Sequence, residues 1–311
     1  MKEKAPCGAT KKPPKRLPIW YRSNHTNSLI KPECMLWFYL VRLLKEVFVS
    51  KKFAVWCMQR TGGTSFMGLI RTSHESETCQ EPFNGNREFV YLRDEFAREV
   101  NRTGTAPTIS DPDLLKYNLK ICYEYTPKNF NEAVFNFLEQ NGYFQILLLR
   151  DNEQSRLESL ALAELTKAFG VKKAKGIYPK IQSGEIELPP VNMQTFQRHA
   201  KNCFQRTRHI TDIFRRHRLP IYHYEQFFAG SFDEQVARHQ ALLDEMAFAG
   251  QPIKITSDTQ TAREEYFKSR NQNSGAMVDY IPNIHEVREA IRDLSASKRT
   301  KLAWLKKVFI S

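Results

Sequence analysis

Apolar residues in this chain gather in short runs separated by longer stretches of helical period. Phe53-Ala54-Val55-Trp56-Cys57-Met58 has no polar interruption, the pattern of a strand covered on both faces. Leu119–Tyr123, Phe144–Leu149 and Pro220–Tyr224 are further strand candidates. Between and after them the spacing predicts helices over Asn131–Asn141, Glu153–Phe169, Val191–His217 and Phe232–Ala247, with a further helix-like segment near residues 35–49. Short apolar strands alternating with helices predict an α/β fold in three layers, a mainly parallel central sheet flanked by helices. Residues 84–117 read as polar and irregular. Residues 171–190, basic and punctuated by Gly and Pro, read as a loop or lid. The domain expectation is a basic arm and leading helix over residues 1–50, then a single domain over residues 51–311.

Charge narrows the class of partner. Lys and Arg total 47 against 34 Asp and Glu, a net charge of +13. The excess favours an anion: nucleic acid, an acidic membrane or a phosphorylated small molecule. The run RTRHITDIFRRHR at 206–218 alternates basic and apolar positions as a solvated amphipathic helix does, so nucleic acid is not the expected partner. The six cysteines are scattered without a C-x-x-C pair, which argues against a zinc site. Cys57 and Cys122, inside strand-like runs, read as reduced buried thiols, and a reducing, cytoplasmic setting fits. The first 18 residues are polar and basic rather than leader-like, and the apolar run Met35–Val41 is too short to span a bilayer. The basic stretch Lys298–Ile310 carries Leu302, Trp304, Leu305, Val308 and Phe309 at helical spacing. Docking on its own domain is the ordinary role for such a helix; peripheral contact with an acidic membrane is the alternative.

The first strand runs into Gln59-Arg60-Thr61-Gly62-Gly63-Thr64-Ser65 and then a helical pattern. Glycines permit a tight turn with inward backbone N–H groups, and the helix adds its positive N-terminal end. Thr64 and Ser65 offer hydroxyls at that end, and Arg60 a permanent charge at the lip. An ordinary capped turn has the same composition. The nucleoside triphosphatase pattern needs a Lys after the glycines, and none follows here; the G-x-G-x-x-G dinucleotide pattern is also missing.

A cation just before a shortened Gly-Thr/Ser turn resembles the 5′-phosphosulfate loop of sulfotransferases that use 3′-phosphoadenosine 5′-phosphosulfate (PAPS), with Arg in the position typical of the bacterial carbohydrate-type members. Further along, Phe144–Leu149 is followed by Arg150-Asp151-Asn152 and a helix bearing Ser155 and Ser159, similar to the family's 3′-phosphate site. The resemblance assigns Arg150 and Ser159 to that phosphate, with Ser155 the less suitable spacing. On the residues alone, Asn152 as a helix cap and Arg150 in a surface ion pair serve equally. Gln80-Glu81-Pro82 lies where these enzymes carry a Glu-Pro, which makes Glu81 the candidate base, with Glu124 and His74 as rivals. His74, between polar neighbours, reads as a solvated loop histidine. Lys268–Ser274 is similar to a basic C-terminal loop that closes over the nucleotide, and it suggests Arg270 as a further phosphate ligand. The resemblance thus implies a P-loop-like sulfotransferase fold, PAPS as co-substrate with PAP as product, no metal, and a carbohydrate or glycolipid-like acceptor. The alternatives are a nucleotide-dependent kinase on a related fold and a basic nucleic-acid-binding protein.

Overall fold

The computed structural model describes residues 52–308 apart from residues 75–76, 86, 252, 255 and 270–273. The leading helix expected near residues 35–49 and the basic arm before it lie outside the described residues.

Five strands build one all-parallel sheet: β1 (Phe53–Cys57), β2 (Thr78–Gln80), β3 (Asn118–Cys122), β4 (Phe144–Leu149) and β5 (Ile221–His223), in the spatial order β2-β3-β1-β4-β5. The α/β expectation holds at this level. Every residue of β1 is buried because helices cover both faces of the sheet. Ala54 and Trp56 enter the core of one face, and Phe53, Val55 and Cys57 enter the other. This is the period-2 alternation of a strand with two apolar sides. The Trp56 indole N–H is satisfied in place, donating to Gln145 Oε1 on β4 at 2.9 Å.

The helices are α1 (Gly63–Arg71), α2 (Val90–Thr103), α3 (Lys128–Gln140), α4 (Glu153–Thr166), α5 (Val171–Gln182), α6 (Met193–Arg216), α7 (Tyr224–Phe228), α8 (Phe232–Phe248), α9 (Ser257–Ser269), α10 (Ser274–Met277) and α11 (Ile284–Val308). Local chemistry sets several of their starts. Asn152 caps α4 by accepting from Ser155 N, Asn192 caps α6, and Ser231 with Glu234 forms a capping box on α8.

The run at 206–218 falls mostly on α6, where Ile210, Ile213 and Phe214 are buried. Its polar side is not wholly solvated. Arg206 donates to the carbonyls of Tyr123 and Thr126, and His209 faces the Tyr123 hydroxyl and Glu132. Cys57 and Cys122 are buried free thiols, as expected.

Two expected loops are helices. Residues 84–117 contain α2, whose inward stripe is only Leu92, Phe96 and Val100, too narrow to stand out among its charges. Residues 171–190 contain α5, where Ala174, Tyr178 and Ile181 are buried at helical spacing despite Gly176 and Pro179. The edge strand β2 escapes the pattern because it has three residues, all half-buried. The C-terminal stretch continues α11, whose first turns bury Ile284, Val287, Ala290 and Ile291 against α4 and α6; the side chains from residue 297 onward lie outside the described residues. Among the described residues no helix is long and apolar enough to cross a membrane.

Candidate functional site

In a parallel sheet the C-terminal strand ends share one edge, and ligands bind there where the chain passes to either side of a central strand. Here β3 and β4 flank β1, so the loop after β1 stands at that point. Gln59 to Gly62 makes the turn into α1. Arg60 and Gly62 both have left-handed backbones, with φ of 60° and 90°. For Arg60 this conformation costs energy, and such strain gathers at functional sites. At Gly62 a Cβ would lie 2.3 Å from the Tyr224 ring, so glycine is required by conformation and by space. The first intrahelical bond runs from Phe66 N to Gly62 O at 2.9 Å. Ahead of it lie the amides of Gly63, Thr64 and Ser65, of the kind a helix start leaves without intrahelical partners. The Thr61 hydroxyl, in a residue only 1% exposed, is buried without a partner.

Three separate segments converge on this turn. Arg60 Nε donates to Ser159 Oγ at 3.0 Å, and its Nη1 to the Phe169 carbonyl at 3.2 Å. Arg150 Nη1 donates to the Arg60 carbonyl at 3.1 Å, and its guanidinium sits over the Tyr224 ring, 5.4 Å from the centroid. Arg150 Nε is buried without a hydrogen-bond partner; Glu225 Oε1 lies 3.6 Å away. Burial pulls the pKa of Arg60 below its ordinary value; Tyr178 opposes this, and the like charge of Arg150 adds to it. A bound anion would relieve both costs. Ser159, 4% exposed, faces Arg60, whereas Ser155 engages the Asn152 cap through its backbone. Asn152 is indeed a helix cap, but Arg150 does more than make a surface ion pair.

The surroundings of the two rival bases differ from those of Glu81. Glu124 is buried, its side chain 3% exposed, and paired with Arg156 at 3.1 Å. Its other oxygen accepts from Gln59 N at 2.8 Å, while Arg156 donates to Gln59 O at 2.9 Å. The pair therefore clamps both backbone groups of the residue before Arg60. His74 is not a solvated loop histidine: it is 4% exposed, hydrogen-bonds Asn118 at 3.3 Å and meets the edge of Phe53. Asn118 and Phe53 begin their strands, so His74 belongs to the opposite edge of the sheet.

Glu81 follows β2 on the correct edge, with a left-handed φ of 56°. Lys120 Nζ on β3 touches Glu81 Oε1 at 2.5 Å and Thr64 Oγ1 at 3.0 Å, linking the candidate base to the first turn of α1. Burial pushes the Glu81 pKa up, but the Lys120 charge and hydrogen bonds from Lys120 and Asn84 outweigh it and hold the carboxyl below its ordinary value. Glu81 is thereby ionised, the form that accepts a proton. Beside it, a shallow open notch is lined by Pro82, Phe83, Asn84, Cys122, Tyr125 and Thr126.

Sequence reasoning passed over Lys120. Its signal is a lysine inside a strand whose every residue is buried, an arrangement that requires a partner. Arg270 lies outside the described residues, as do its neighbours 271–273. Among the described residues no group of three His, Cys, Asp or Glu stands where it could hold a metal ion. Comparison of the chain with family models, curated proteins and solved structures finds no match.

Proposed function

We propose that the chain is a sulfotransferase that takes a sulfuryl group from PAPS to a hydroxyl of a carbohydrate or glycolipid-like acceptor. The observation that carries this reading is the convergence of Arg60, Arg150 and Ser159 on one glycine-containing helix start. Two guanidinium groups and several hydroxyls at such a helix start suit a ligand with two separate phosphates. The orphaned Thr61 hydroxyl and Arg150 Nε are donors such a ligand satisfies.

PAPS supplies an electrophilic sulfur and a phosphate leaving group. In the proposed step the acceptor oxygen forms a new S–O bond as the S–O bond to the 5′-phosphate breaks, in line. Glu81 accepts the acceptor's proton, and PAP departs with the bonding electrons. Arg60 and the amides of Gly63 to Ser65 stabilise the negative charge that develops on the leaving phosphate. Positioning and charge stabilisation carry most of the catalysis, as in phosphoryl transfer. Lys120 holds the Glu81 carboxylate against the cradle and keeps it ionised. The notch beside Glu81 offers the acceptor an aromatic ring, an amide and a hydroxyl.

The test is a thermal titration with PAP, ATP and AMP, followed by transfer from labelled PAPS to sugar, glycolipid and phenol acceptors. PAP raises the melting temperature, because a ligand of the folded state alone stabilises it. Arg60→Ala removes that shift, while Glu81→Gln keeps it and loses transfer. No response to millimolar PAP, or magnesium-dependent stabilisation by ATP alone, rejects the reading in favour of a phosphotransferase.

A further inference from the structure

The C-terminal half of the chain carries a device that the proposed chemistry does not use. His239 on α8 is fully buried, and both ring nitrogens are without hydrogen-bond partners. Beside it on α9 stands Arg263, 7% exposed, whose Nε is also buried without a partner. Buried polar groups are normally paired, and a buried cation more strictly so. Burial first, and the Arg263 charge second, hold the His239 pKa down at about 3. Among the described residues, Arg263 is the charged group that acts on His239. On α7 and α8, Glu225 accepts from the amides of Asp151 and Asn152, Glu234 from Ser231 N and Glu245 from the Tyr222 hydroxyl, while Arg238 donates to the carbonyls of Gln226 and Ala229.

α9 is also bound to the cradle. The Tyr266 hydroxyl donates to the Ser65 carbonyl at 2.7 Å, in the first turn of α1. It lies so close to Gly68 that a Cβ there would meet it at 2.2 Å. The next residue, Phe267, meets the His239 ring edge-on at 6.5 Å and packs on Phe228 at 6.1 Å. Phe228 stacks on Tyr224 at 4.5 Å, and Tyr224 is the ring against Gly62 and under Arg150. A continuous line of contacts thus joins the buried histidine to both sides of the phosphate turn.

We propose that Tyr266 is a positioning residue for the cradle, and that α9, which carries it, is released when His239 takes up a proton. A proton on His239 places a second positive charge beside Arg263, where no anion among the described residues acts on it. The state that hydrates the imidazole, with α9 lifted away, is then favoured. Below the ordinary histidine pKa of about 6.5, the ratio of open to closed forms rises roughly tenfold per pH unit. Opening withdraws Tyr266 from Ser65 and Phe267 from Phe228, so the cradle loses its support. The switch deepens the PAP-binding reading and rests on it only for the affinity measurement.

Native-state hydrogen exchange of the amides from Phe66 to Ile70, without nucleotide, tests the switch directly. Protection corrected for intrinsic pH effects falls about tenfold or more between about pH 6.5 and pH 5 in the wild type. His239→Met and His239→Gln, two independent non-titrating replacements, hold it constant. Tyr266→Phe lowers protection at both pH values while the sheet amides stay protected. The PAP dissociation constant follows the same pH profile in the wild type and loses it in the His239 variants. A flat wild-type profile, or an equal fall in the His239 variants, overturns the proposal. Exchange that behaves as stated with no PAP binding at either pH supports the switch and rejects the PAP reading.

Discussion

Glu124→Gln tests whether the clamp behind the cradle works as its geometry indicates. The substitution preserves shape and removes the charge opposite Arg156. Both side chains are buried, at 3% and 1% exposure, so water cannot replace the lost partner. Breaking a buried ion pair from one side costs about 3–5 kcal/mol. Arg156 keeps Glu153, at 2.8 Å, which argues for the lower end, about 3 kcal/mol. The glutamine amide must also present its NH₂ to either the Gln59 amide or the Arg156 guanidinium, both donors. In a domain of this size that loss corresponds to roughly 6–12 °C in melting temperature. Because Gln59 directly precedes Arg60, PAP affinity falls with stability. Scanning calorimetry and urea unfolding measure the first quantity, and calorimetric titration with PAP the second. Glu185→Gln, which breaks the exposed Lys180–Glu185 pair, is the control and costs less than about 1 kcal/mol. A Glu124→Gln protein within 1 kcal/mol of wild type would refute the clamp.

Two further outcomes follow from the cradle. Gly62→Ala must place a Cβ at positive φ and displace the Tyr224 ring, which costs at least the ~1–3 kcal/mol of the backbone strain; a stable variant with unaltered PAP affinity contradicts the close packing. Lys120→Met removes the cation that holds the Glu81 pKa down. In the wild type that pairing stabilises the fold above the ordinary carboxylate pKa and is lost as pH falls through the lowered value of the folded state. The variant is therefore less stable at neutral pH and shows less acid-side loss, a difference read from urea midpoints between about pH 7 and pH 3; parallel pH curves contradict it.

The elements legible in the sequence are those whose burial is complete. β1 carries an unbroken apolar run, and β3 and β4 carry runs broken only at Asn118, Lys120 and Gln145, because helices cover both faces; α8 advertises its start through Ser231 and Glu234. Arg60, Arg150 and Ser159 were legible for a different reason. The family resemblance singles them out, and the structure brings their side chains together where the loops after β1 and β4 share one edge of the parallel sheet. What the sequence hides is pairing across the fold. Glu81, Glu124 and His74 look alike as carriers of a proton until their partners are known. Glu124 is committed to Arg156 and Gln59, His74 lies at the wrong ends of the strands, and only Glu81 faces the cradle.

Lys120 sharpens the same lesson. Read locally, it is a polar residue in a strand. In space it is the cation between the helix start and the candidate base, and its value comes from Thr64 and Glu81, 56 and 39 residues away. The helix α9 goes further: its own sequence has almost no amphipathic signal, yet Tyr266 and Phe267 tie it to α1 and α8. Gly68 leaves the space that Tyr266 occupies, so the clue to α9 stands nearly 200 residues before it, in a helix whose glycine looks merely permissive. Elements held by a few specific contacts, rather than by a broad apolar face, are those that a local change in charge can release.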